Sequence, residues 1–221
     1  MLQTTDRTQI VPMLTRHINM SVAEVTEQYA DLLVRTTDGL FGEHLRPMRQ
    51  SIRTLNKSKR ELKNLRRRET LCLRRAEPPV AGIRLSTNFH LIHNSLRQML
   101  YGLIRIAEPA YEHVDNHFSP IDATFAARYT KLRTEFTELI AEIAGNFRNQ
   151  RSEDNDALMA RCSEIRSELH NLGQEIGVAI QTTNVNLTAI TLMLHLVQET
   201  EQLLVEVKEL LKNTKLYREM V

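Results

Sequence analysis

The chain has 221 residues and a formal net charge of +2, with 42% hydrophobic and 25% charged residues, seven Gly, six Pro and no Trp. That length can bury a core of native size, and so few breakers point to helices with a core mainly of Leu, Ile, Val and Met. Cys72 and Cys162 have no cysteine neighbours, which excludes a disulfide framework or a cysteine-built metal site and points to a reducing compartment. The most apolar window, AITLMLHLV at 189–197, is interrupted by His195. It has about half of the roughly 18 residues that a membrane span needs. The N-terminus lacks the basic-then-apolar pattern of a signal peptide, so a soluble, intracellular chain is expected.

Apolar residues recur at three- and four-residue steps almost throughout, and no segment alternates like a strand. After a lead-in over residues 1–18, Ser21 and Glu24 form a capping box opening a first helix that ends near Gly39 or Gly42. A second runs from about Pro47 to Ala76, where Pro78, Pro79 and Gly82 stop it. The third spans Ser86 or Thr87 to Phe118, and Ser119-Pro120 caps a fourth that ends near Asn149. A fifth covers about Asp156–Ile180, and TTNVN opens a sixth that reaches about Leu216. The expected fold class is all-α, an antiparallel bundle of about six helices in two three-helix units, 19–118 and 119–221.

The second helix concentrates positive charge. Between residues 46 and 75 there are twelve Lys and Arg against Glu61 and Glu69, a net +10 that leaves −8 for the rest of the chain. Ile52, Leu55, Leu62 and Leu65 form a narrow apolar seam, and Arg46, Arg49, Arg53, Lys57 and Arg60 climb another face. Such a stripe, with Arg67, suits an anionic membrane surface, nucleic acid, or the acidic surface of the same bundle or of a second subunit. No aromatic residue interleaves it and no DNA-binding motif surrounds it, so nucleic acid is not the expected partner.

The third helix carries EPAYEHVDNHF at 108–118. Its apolar stripe is Ile92, Leu96, Met99, Leu103, Ala110 and Val114, which turns Glu108, Glu112 and Asp115 away from the core. These carboxylates could hold a hard divalent cation, iron or manganese, although a solvated acidic face has the same pattern. His113 and His117 fall at the margin of the core, and His90 and His93 have a spacing compatible with metal or with structural hydrogen bonds. Pro109 removes a backbone donor and should free the Arg105 carbonyl, kinking the helix. No nucleophile–base set or phosphate loop is visible, and a non-enzyme is expected.

The run IRIAEPAYEHVDNHFSP resembles the signature of the PhoU-like domain that follows the membrane region of bacterial PiT-family inorganic phosphate transporters. Residues 9–25, 51–69 and 194–211 are similar to other parts of these domains, so the resemblance touches nearly the whole chain. It implies two three-helix units and a cytoplasmic regulatory or accessory role in phosphate transport at the inner face of the membrane. The implied partner is a membrane-embedded transporter region, in the same chain or a separate one; a homodimer would also supply the basic helix with a counter-surface. The resemblance further implies a surface metal motif of an acidic residue followed four positions later by Asp. Glu27 and Asp31 match it; Glu108 and Glu112 match with Glu in the last place. In the second half, LHLVQETEQLLVE aligns loosely with LIRIAEPAYEHVD, and Leu203 stands where Glu112 maps. A symmetric second site is therefore in doubt. A ligand-free structural or dimerisation bundle is the alternative, followed by a basic-helix nucleic-acid binder.

Overall fold

The computed structural model describes residues 7–76, 81–149, 155–182 and 185–219, with side chains described for 12–72, 86–149, 155–181 and 185–214. Six α-helices account for nearly all of them: α1 (Arg7–Phe41), α2 (Leu45–Ala76), α3 (Ala81–Asp115), α4 (Ala123–Arg148), α5 (Asn155–Thr182) and α6 (Leu187–Glu219). No strand occurs among the described residues. The all-α, six-helix expectation holds.

Three boundaries differ from the sequence reading. Ser21 does not cap a helix; it lies inside α1, which already begins at Arg7. Leu14, Ile18 and Val22 are all buried, so the apolar stripe continues upstream of Ser21 and carries the helix with it. Residues 7–18, expected as lead-in, are therefore helical. Gly82 sits inside α3 instead of stopping α2, and Pro78 and Pro79 fall outside the described residues. The cap of α4 is Asp122, whose Oδ1 accepts from the amides of Thr124 (2.8 Å) and Phe125 (3.1 Å). Ser119 is occupied elsewhere, its carbonyl by His113 Nε2 and its hydroxyl by Asn186 Nδ2. Asn186, within TTNVN, caps α6 through the Ala189 amide.

Helices α1, α2 and α3 pack on one another, while α5 packs on both α4 and α6. The two units join through α1 against α4 and α3 against α6. That places α2 at one edge of the bundle and α5 at the other. Along α2 the buried positions Met48, Leu55, Leu62 and Glu69 follow at seven-residue steps, with Ser51 and Ser58 between them. This is the period that keeps one narrow face against neighbouring helices. The opposite side of this edge helix stays in solvent, and Arg46, Arg49, Arg53, Lys57, Arg60 and Arg67 are all exposed there.

Leucine and isoleucine dominate the core, but Tyr129, Phe89, Phe136 and Phe147 are its largest fully buried side chains. Tyr129 ties the units together. Its ring meets Phe41 of α1 edge-on at 6.0 Å, and its hydroxyl donates to Thr200 Oγ1 of α6 (2.8 Å). The Thr200 hydroxyl in turn donates to the Leu196 carbonyl. Nearby, the buried Arg133 of α4 donates to Thr37 Oγ1 (2.6 Å) and Asp38 Oδ1 (2.5 Å) of α1. The seam is thus a packed and hydrogen-bonded interface inside one fold.

Candidate functional site

The α3 signature divides into three parts, each used differently. Its apolar half is core: Ile92, Leu96, Met99, Leu103, Ala110 and Val114 are all buried, as their spacing requires. Glu108, Glu112 and Asp115 are exposed. Tyr111 connects this acidic face to α2, accepting from Arg49 Nη2 (3.0 Å) and donating to Asp115 Oδ1 (3.3 Å). The Arg49 guanidinium also lies 5.8 Å from the Tyr111 ring centroid. The acidic face of α3 and the arginine stripe of α2 are therefore adjacent parts of one surface.

Pro109 lies inside α3 and leaves the Arg105 carbonyl free, as expected, and a histidine uses it. His195 Nε2 of α6 donates to the Arg105 carbonyl at 2.9 Å. A prolyl ring at 109 leaves that carbonyl without its usual helical donor. The Arg105 side chain then reaches the same helix, pairing with both carboxylate oxygens of Glu199 at 2.9 Å. That hydrogen bond raises the Arg105 pKa above its ordinary value. The signature proline thus belongs to a lock between α3 and α6. Leu203, one turn past Glu199, is buried in this contact, and a Cβ on Gly102 would come within 3.0 Å of its Cδ2. This explains why the second half carries leucine where the first carries Glu112: the position faces the seam rather than solvent.

His113 and His93 take structural partners. His113 is buried and donates through Nε2 to the Ser119 carbonyl (2.9 Å), fixing the chain as it leaves α3. His117 is exposed rather than marginal, because α3 ends at Asp115 and His117 takes a left-handed φ of 54°. His93 is buried and donates through Nε2 to Glu69 Oε2 at 2.7 Å, with both side chains shielded from solvent. Glu69, counted in the sequence as one of two charges opposing the basic run, is instead enclosed between helices. His17 Nε2 lies 3.6 Å from its other oxygen at the rim.

The acidic pair on α1 has a different neighbour. Glu27 forms a two-pronged ion pair with Arg148 of α4, while Asp31, one turn on, is exposed. With Glu27 committed to Arg148 and Asp115 to Tyr111, the five candidate carboxylates do not surround one point. Among the described residues, no three His, Cys, Asp or Glu side chains are placed to hold a single metal ion. Burial pushes the Cys162 thiol up to about 12, so it is a packed apolar residue rather than a nucleophile.

No family model and no curated protein matches the sequence. Among solved structures, PhoU from Pseudomonas aeruginosa superposes with a TM-score of 0.74, covering 94% of this chain and 96% of that one. Only 8% of the aligned residues are identical. The fold is PhoU-like. Because the match spans both three-helix units, the PhoU-like arrangement includes the seam through α1–α4 and α3–α6. At this identity the likeness extends to the backbone architecture alone. It says nothing of which side chains act.

Two features of this PhoU-like bundle could not be foreseen from their own local sequence. Glu69 looks like a surface charge until the seven-residue period from Met48 through Leu55 and Leu62 is continued to it. His195 looks like a break in an apolar window until the carbonyl freed by Pro109 is placed opposite.

Proposed function

We propose that the chain is a regulatory or accessory module of inorganic phosphate transport, seated by the arginine face of α2 against an anionic membrane surface and the transporter within it. What supports this reading is an exposed basic stripe on the edge helix of a PhoU-like bundle. Among the described residues, Arg46, Arg53, Arg60 and Arg67 have no carboxylate partner, whereas Lys57 pairs with Glu61 on its own helix. Elsewhere the surface does pair its charges between helices: Arg148 with Glu27, Arg128 with Glu175 and Arg161 with Glu142. Unneutralised cations on one face of an edge helix suit a planar anionic partner better than they suit the bundle itself. No described helix is long and apolar enough to cross a membrane.

In this mechanism the basic face fixes position and the acidic face reports to the transporter. Arg49 belongs to the stripe, and through Tyr111 it touches Asp115 on α3. Drawing Arg49 toward a phosphate-rich surface would release Tyr111 and alter how the exposed carboxylates are presented. From there α3 leads to α6 through Arg105, Glu199 and His195.

Sedimentation with phosphatidylglycerol-containing vesicles tests the docking face. The chain is expected to bind them at low salt and to release as salt screens the contact. Each Lys or Arg near such a surface contributes about 1 kcal/mol, so Arg46→Gln/Arg53→Gln/Arg60→Gln should weaken binding by roughly 100-fold. Equal binding to neutral phosphatidylcholine vesicles, or an unaffected triple variant, would contradict the assignment.

A further inference from the structure

The cations of α2 are not all on its outer face. Lys59, Lys63 and Arg66 fall within about 80° of Leu55 around the helix, on the side that borders α3, while the docking stripe lies at about 120° or more. The groove they border has a volume of about 310 Å³ and is completed from α3 by His93, Arg97 and Tyr101. Leu62 and Leu100, both buried, line its apolar part.

Four cations thus border one small cavity, and no carboxylate lines it. Among the described residues, none of Lys59, Lys63, Arg66 and Arg97 has an acidic partner. Arg97 donates to the neutral Asn94 Oδ1 (2.7 Å), and Lys59 Nζ lies 5.7 Å from the Tyr101 ring centroid. Glu61 is held by Lys57. Glu69 is enclosed and bound to His93. His93 is itself 3% exposed, and with Nε2 on Glu69 its Nδ1 has no hydrogen-bond partner. An adjoining cavity shares Lys63 and Arg66 and adds Arg67, continuing the positive region along the groove. Cations held together without a counter-charge repel one another, so a multivalent anion would relieve that repulsion and gain charge-assisted hydrogen bonds.

We propose that this α2–α3 groove binds a phosphate-bearing small molecule with a non-polar or ring portion, its phosphate oxygens held by Lys63, Arg66 and Arg97. Two guanidinium groups offer planar forks that match phosphate oxygens, and the lysines add point charges. The apolar floor and the half-exposed Tyr101 ring accommodate the rest of the molecule, which distinguishes an organic phosphate from the bare anion. The site meets the docking stripe at Arg67, in the adjoining cavity, and does not depend on the proposed function. Glu69 and His93 would connect it to the core, since His93 lines the groove and holds the buried carboxylate.

Calorimetry and melting curves of the full chain with inorganic phosphate, pyrophosphate, ADP and short-chain phosphatidic acid would test this, using Lys63→Gln/Arg97→Gln and, as a control at exposed cations away from both the groove and the docking stripe, Arg35→Gln/Lys131→Gln. The site predicts that ADP or short-chain phosphatidic acid binds more tightly than inorganic phosphate and raises the melting temperature. Lys63→Gln/Arg97→Gln, shown to fold by its own melting curve, should lose affinity by roughly tenfold or more for each contact removed, and the control pair should not. ADP as the tighter ligand assigns the groove to a soluble metabolite, and phosphatidic acid as the tighter ligand assigns it to a lipid headgroup. The proposal is overturned if no probe shifts the melting temperature, or if both double variants lose affinity equally. Because neither variant touches the docking stripe, failure of the groove and failure of membrane docking are read separately.

Discussion

Replacing His93 with Leu will lower the unfolding free energy by about 3 kcal/mol, because it strands a buried carboxylate. Glu69 is 1% exposed and His93 3%, and their 2.7 Å hydrogen bond is the contact through which Glu69 Oε2 is satisfied. Leucine is close to histidine in volume, so the Phe89 ring, 4.5 Å from His93 between centroids, keeps a packing neighbour. The loss therefore reports the polar pair rather than a cavity. Removing both partners together, as Glu69→Leu/His93→Leu, should return stability to within about 1 kcal/mol of the native chain, since two apolar groups need no partner there. Urea unfolding of the two single variants and the double variant measures this coupling directly. A His93→Leu variant as stable as the native chain would mean that Glu69 finds water or another donor.

Tyr129 carries the second large effect. It is fully buried, and it touches helices of both three-helix units, with its ring against Phe41 and its hydroxyl on Thr200. Tyr129→Ala removes an entire core aromatic and should cost about 3–5 kcal/mol, the range for buried aromatic truncation. Tyr129→Phe keeps the ring and should cost only about 1 kcal/mol for the lost hydroxyl pair. The ratio matters more than either value. If the two variants lose equal stability, the hydroxyl rather than the ring organises the seam. If neither loses stability, the units are not joined through this residue.

Fold class was readable in the sequence because it rests on period. Ile92, Leu96, Met99 and Leu103 recur at helical spacing, and all four are buried. Boundaries were less readable because capping signals are local and packing is not. Ser21 and Glu24 have the residue types of a capping box, yet Leu14 and Ile18 already continue the core face upstream. Ser119-Pro120 resembled an N-cap, but Asp122 reaches the free amides while Ser119 is taken by His113 and Asn186.

The candidate site was legible by face and not by partner. The carboxylates of α3 point outward, as their place opposite the buried stripe requires. Helical angle alone could not pair Glu27 with Arg148, or join Asp115 to Arg49 through Tyr111, since each link crosses between helices far apart in the chain. The same limit hid His195, whose partner is a backbone carbonyl ninety positions earlier. Pro109 marked where a donor would be missing. It did not say which helix would supply one.

The central claim, that this PhoU-like bundle acts on phosphate transport through the basic face of α2, is tested most directly by uptake of radiolabelled inorganic phosphate. The comparison is between cells lacking the chain, cells with it restored, and cells carrying Arg46→Gln/Arg53→Gln/Arg60→Gln at equal abundance. The account predicts that loss of the chain alters uptake, that the native chain restores it, and that the folded triple variant does not. Uptake that is the same in all three would contradict it.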